Sequence, residues 1–92
     1  MVKYKTDKKL IWRKIEDKIF IIDTEKEKMH SLNSSAAFIW NMIIKGKTPD
    51  EILILMDREF DIEDKNILKK DIEEIILKFK DEGLIYEKEK KV

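Results

Sequence analysis

Residues 28–46, KMHSLNSSAAFIWNMIIKG, place the tightest constraint on what this chain can fold into. They read as a short strand that stops at Asn33 and turns directly into a helix. Lys28, His30 and Leu32 alternate with Met29 and Ser31, the two-residue period of a strand. Asn33 offers a side-chain oxygen to the first helix amides, with Ser34 as a competing cap. Ala36, Ala37, Trp40, Ile43 and Ile44 then recur at helical spacing, and Phe38, Ile39 and Met42 widen the apolar surface. Gly46 is placed to end the helix in the left-handed conformation.

The residues before this junction read as strands. Leu10–Glu16 partly alternates, with Ile11 and Ile15 on one side and Leu10 and Trp12 on the other. Asp17 and Lys18 make a turn. Ile19–Asp23 is apolar on both faces, which predicts a strand covered on both sides. Thr24–Glu27 is a polar hairpin loop that lacks the usual glycine. Three short strands with tight connections make an antiparallel meander. Sequential order leaves Lys28–Leu32 as an edge whose free N–H and C=O groups can template another strand.

The residues after it read as helices. Thr48-Pro49-Asp50-Glu51 combines an N-cap, a proline at the first helical position and a capping-box glutamate. Ile52, Leu55, Met56 and Phe60 give that helix its apolar stripe. A third helix is predicted to start near Ile62-Glu63-Asp64 and run to about Glu82, with Gly83 as its stop. On a helical wheel Leu68, Ile72, Ile75 and Phe79 form its core stripe. Ile67, Asp71 and Lys78 lie on one shoulder, and Ile76 with Lys69 on the other. Leu77 points nearly opposite the core, and Leu84-Ile85-Tyr86 could dock back on it. The expected fold class is α+β and winged-helix-like: a three-stranded antiparallel sheet followed by a three-helix bundle. One domain is expected over residues 10–86, with residues 1–9 and 87–92 as flexible termini.

Composition narrows function more than fold. Ninety-two residues allow one small core. With no Cys and a single His, thiolate and His-rich metal sites are excluded, and a His-based catalytic constellation is disfavoured. Twenty basic and twenty acidic residues cancel, which argues against a duplex-DNA binder held mainly by phosphate contacts. The balance is uneven along the chain. Residues 1–28 hold nine basic and six acidic residues, whereas residues 29–63 hold three and six. No apolar run reaches the roughly 18 residues of a membrane span, and no secretory signal is evident. A cytoplasmic protein is expected, with no metal or other cofactor.

The order of elements and the residues together resemble the PqqD-like family, the peptide-recognition domains of ribosomal peptide modification systems. The resemblance rests on His30-Ser31-Leu32-Asn33, Ala36 and Ala37, Ile39-Trp40 and Gly46. It continues through Thr48, Ile52, Phe60 and Ile62 to Asp71-Ile72, Ile75-Ile76, Phe79 and Gly83-Leu84-Ile85. It covers about residues 12–86 and lies in their order and spacing rather than in any one pair. The chain departs from the usual pattern at Glu27, where glycine is frequent, and at Ser34, where glutamate often follows the asparagine.

What the resemblance implies is a non-catalytic adaptor with no catalytic residues of its own. It would bind the leader of a precursor peptide as an added strand and present it to a modifying enzyme, such as a radical SAM enzyme, a cyclase or a leader peptidase. Carried over by position, the docking edge is Lys28, Met29, His30, Ser31 and Leu32. The helix wall is drawn from Ile67, Asp71, Ile75 and Lys78. Backbone pairing along such an edge gives sequence-tolerant affinity, and pockets beside it give selectivity.

Other readings stand beside this one. His30 is either a contact on the edge or a tolerated amphipathic residue. Trp12 and Trp40 read as core. Asp71 is either a solvated shoulder charge or the partner of a basic leader residue, since Ile67, Leu68, Glu74 and Ile75 offer it no intrahelical ion pair. The alternative function is a winged-helix DNA-binding regulator with the third helix as reader. That helix carries five Lys against six acidic residues from Asp64 to Glu82, a poor surface for phosphates. An enzyme is ranked lower still, for want of a phosphate-cradling glycine loop or paired catalytic groups.

Overall fold

The computed structural model of the chain describes residues 3–6, 9–60 and 63–87. Strands β1 (Tyr4–Thr6), β2 (Leu10–Ile15), β3 (Lys18–Asp23) and β4 (Lys28–Leu32) come first. Helices α1 (Ser34–Ile44), α2 (Pro49–Phe60) and α3 (Lys65–Asp81) follow, and β5 (Ile85–Glu87) closes the order. The α+β class, the three-stranded antiparallel sheet in order β2-β3-β4 and the three helices are as expected. A second sheet, β1 paired antiparallel with β5, was not expected. The polar start of the chain is therefore not all frayed: Tyr4 packs against the core, and Tyr4 and Glu87 are in register. Residues 1, 2, 7, 8 and 88–92, part of the expected flexible termini, lie outside the described residues.

Local signals set the helix ends. Asn33 caps α1 by accepting the Ala36 amide at 3.0 Å. Lys47 N–H donates to Met42 O and Gly46 N–H to Ile43 O, a Schellman stop with Gly46 at φ 81°. Thr48 and Glu51 form the expected capping box, each accepting a hydrogen bond from the other's amide. The Thr48 amide, and then its hydroxyl, hold the Glu51 carboxyl below its ordinary value. Asp64, the last residue of the expected start near Ile62-Glu63-Asp64, caps α3, and the helix begins at Lys65; Ile62 lies outside the described residues. Its end repeats the Schellman pattern, with Gly83 at φ 73° and Leu84 buried beyond it.

The core lies between one face of the β2-β3-β4 sheet and the helices. Ile19, Ile21, Ile39, Trp40, Ile52, Ile72 and Leu84 are almost wholly buried. Trp40 meets Trp12 and Phe79 edge-to-face, at centroid distances of 6.2 and 5.7 Å. Two sequence expectations need correction. The strand Ile19–Asp23 is covered on one side only, because the helices all pack on one face; Ile22 on the other face is exposed, beside Ile11 and Met29 of the same cross-strand row. The buried stripe of α3 is Leu68, Ile72, Ile76 and Phe79, with Ile75 turned to its edge.

The β3–β4 hairpin manages without glycine. Asp23 Oδ1 accepts the amides of Glu25 and Lys26 at 3.1 and 3.0 Å, and Glu27 takes the left-handed conformation at φ 54°. The Lys26 amide, with Lys9 and the Glu25 amide, holds the Asp23 carboxyl below its ordinary value against the opposing effect of burial. Among the described residues, no helix is long and apolar enough to cross a membrane.

Candidate functional site

Among the described residues, β4 has a sheet neighbour on one side only. Main-chain direction along it follows from one hydrogen bond. Thr24 N–H donates to Lys9 O, continuing the β2–β3 register in which Leu10 faces Asp23. Backbone groups alternate sides along a strand, so Ile19, Ile21 and Asp23 of β3 must turn theirs toward β4. Their partners there are Leu32, His30 and Lys28. Met29 and Ser31 are therefore left with N–H and C=O directed away from the sheet. An incoming strand would pair with these two residues.

A groove lies beside this edge. Its larger cavity, about 410 Å³, is lined by Met29, His30, Ser31 and Leu32 on the strand and by Ile75, Lys78, Phe79 and Glu82 on or beside α3. Asn33, Ser35, Ala36 and Leu84 complete it. Leu32 and Phe79 are buried and form its floor, while Lys78 is exposed at its rim. At one end His30 Nδ1 sits 3.2 Å from Glu82 Oε2, so strand and helix touch across the groove.

Most residues expected at the site come together here, and three do not join this cavity. Lys28 lies at the hairpin end of β4, away from the lining. Ile67 is 59% exposed and belongs to neither this cavity nor its neighbour. Asp71 lines the neighbouring cavity, which meets the first at Ser35 and Ile75. Sequence reasoning missed Asn33, Ser35, Ala36, Phe79, Glu82 and Leu84. In the sequence Asn33 carries only a cap signal and Ala36 only that of a helix face, and Ser35 carries none. Glu82 carried no signal, because its partner His30 is distant in sequence.

Together these features define a small α+β domain with an open sheet edge at β4 and, beside it, a groove walled by its last helix. The chain belongs to the PqqD family: the family model described as Coenzyme PQQ synthesis protein D (PqqD) matches residues 18–85. No curated protein matches it. Two solved structures share the fold. One, TbiB1 in complex with the TbiA(beta) leader peptide, is 18% identical, over 88% of this chain and 93% of that one, with a TM-score of 0.82. The other, lasso peptide synthetase B1 complexed with the leader peptide, is 15% identical, over 91% of this chain and 98% of that one, with a TM-score of 0.83.

Proposed function

We propose that this protein is a non-catalytic adaptor that binds the leader of a ribosomally made precursor peptide by strand addition along β4. It then presents the peptide to a modifying enzyme or leader peptidase. The observation that carries the reading is the open main chain of Met29 and Ser31 beside a groove floored by Leu32 and Phe79. Two outward residues offer an incoming strand up to four backbone hydrogen bonds, and the cavity between β4 and α3 can take side chains projecting from one of its faces. Both solved structures of the same fold are complexes with leader peptides. The reading takes in the expected edge residues Lys28 to Leu32, with Ile75 and Lys78 of the helix wall, and leaves Ile67 outside.

The DNA-reading alternative gains nothing from the fold, since Ile75 and Phe79 of α3 turn to the groove beside β4. Isothermal calorimetry with synthetic leader peptides encoded beside the gene tests the proposal. Micromolar or tighter binding to one of them is expected. Failure of every local candidate to bind at that level would reject it.

A further inference from the structure

The groove does not end at the strand. Past Ser35 and Ile75 it opens into a second cavity of about 280 Å³ between α1, α2 and α3. Its walls are apolar, supplied by Ile39, Met56, Phe60 and Ile72, and its rim carries Asp71 and Glu74. Both carboxylates are exposed, and neither forms an ion pair among the described residues. Lys78, by contrast, lies on the strand-side cavity. Beside β4 the lining thus carries Lys78 together with Glu82, whereas the notch carries two carboxylates and no lysine or arginine among its lining residues.

We propose that the notch holds a second anchor of the same leader: a lysine or arginine whose aliphatic stem lies on the apolar wall and whose charge meets Asp71 and Glu74. Long cationic side chains bury their methylene stems while keeping the charged head in a polar rim. The inference rests on the leader-binding reading above and adds a sequence requirement to it. From Lys78 to Asp71, α3 rises about 10 Å at 1.5 Å per residue, which an extended strand covers in about three residues. The basic residue therefore sits about three residues beyond the leader segment that faces Lys78. β4 runs toward Ser35, so a leader antiparallel to β4 reaches the notch with its N-terminal flank, and a parallel one with its C-terminal flank.

The test is a fluorescence-anisotropy titration of the full chain with a labelled synthetic peptide of the leader encoded beside the gene. The double variant Asp71→Asn, Glu74→Gln should weaken binding about two- to fivefold at low salt. That gap should shrink as added salt screens exposed charge. Replacing the peptide's basic residue by alanine should give a similar loss, with no further loss in the double variant. Circular dichroism should be unchanged, because both replaced side chains are exposed. Equal affinity of the double variant and the unsubstituted protein, or strictly additive losses, would overturn the second anchor alone. No binding by the unsubstituted protein would overturn the leader reading, and this inference with it.

Discussion

His30 on β4 and Glu82 at the C-terminal cap of α3 meet across the groove, Nδ1 to Oε2 at 3.2 Å. The histidine side chain is 14% exposed and the glutamate 36%, so the contact lies at the boundary between groove and solvent. It ties the far end of the helix wall to the strand it faces, next to the Schellman stop at Gly83. A partly exposed pair of this kind contributes little to stability. The coupling energy between His30→Ala and Glu82→Ala, measured by a double-mutant cycle in urea, should be under about 1 kcal/mol.

The outward main chain of Ser31 carries a sharper expectation. Ser31→Pro removes an N–H that the β3–β4 ladder does not use and places a ring where an incoming strand would lie. Leader affinity should fall about tenfold or more, while the thermal midpoint drops only modestly. A collapse of the thermal midpoint instead would mean that the amide serves the sheet, and would reverse the assignment of β4 directions.

Glu27 occupies a left-handed position, φ 54°, in the β3–β4 hairpin. A non-glycine side chain therefore bears the strain of that conformation. Glu27→Gly should therefore stabilise the protein by about 0.5–1 kcal/mol, read from chemical denaturation at neutral pH.

Two carboxylates link stability to acid. Asp23 and Glu51 are both held below their ordinary values, by the amides of Lys26 and Thr48 respectively in the first place. A folded value below the unfolded one contributes stability that is fully present above the unfolded value and lost as pH falls through the folded one. Stability should hold from neutral pH down to the usual carboxylate range, about pH 4, and decline below it. Asp23→Asn should be less stable than the unsubstituted protein at pH 7, and the difference should narrow as pH is lowered. A constant difference across that range would show that the charge on Asp23 is not what caps the hairpin.

Features that depend on near neighbours along the chain were legible before any fold was known. Asn33, the Thr48–Glu51 box, Gly46 and Gly83 mark helix ends through bonds closed within a turn, and strand alternation marks the meander. Order and spacing of those marks were enough to place the chain in its family.

Other features depend on how the elements pack. Whether Ile75 or Ile76 enters the core depends on how α3 rotates about its axis. One residue on a helix is a turn of about 100°, and that rotation is fixed by contacts with α1, α2 and the sheet rather than by the helix's own pattern. With Ile76 inside, Ile75 is left at the edge, where it joins the two cavities and separates the surroundings of Lys78 from those of Asp71. The pairing of Tyr4–Thr6 with Ile85–Glu87 and the meeting of His30 with Glu82 likewise join residues far apart in sequence. No local period encodes such contacts, because they form only once the core between them has closed.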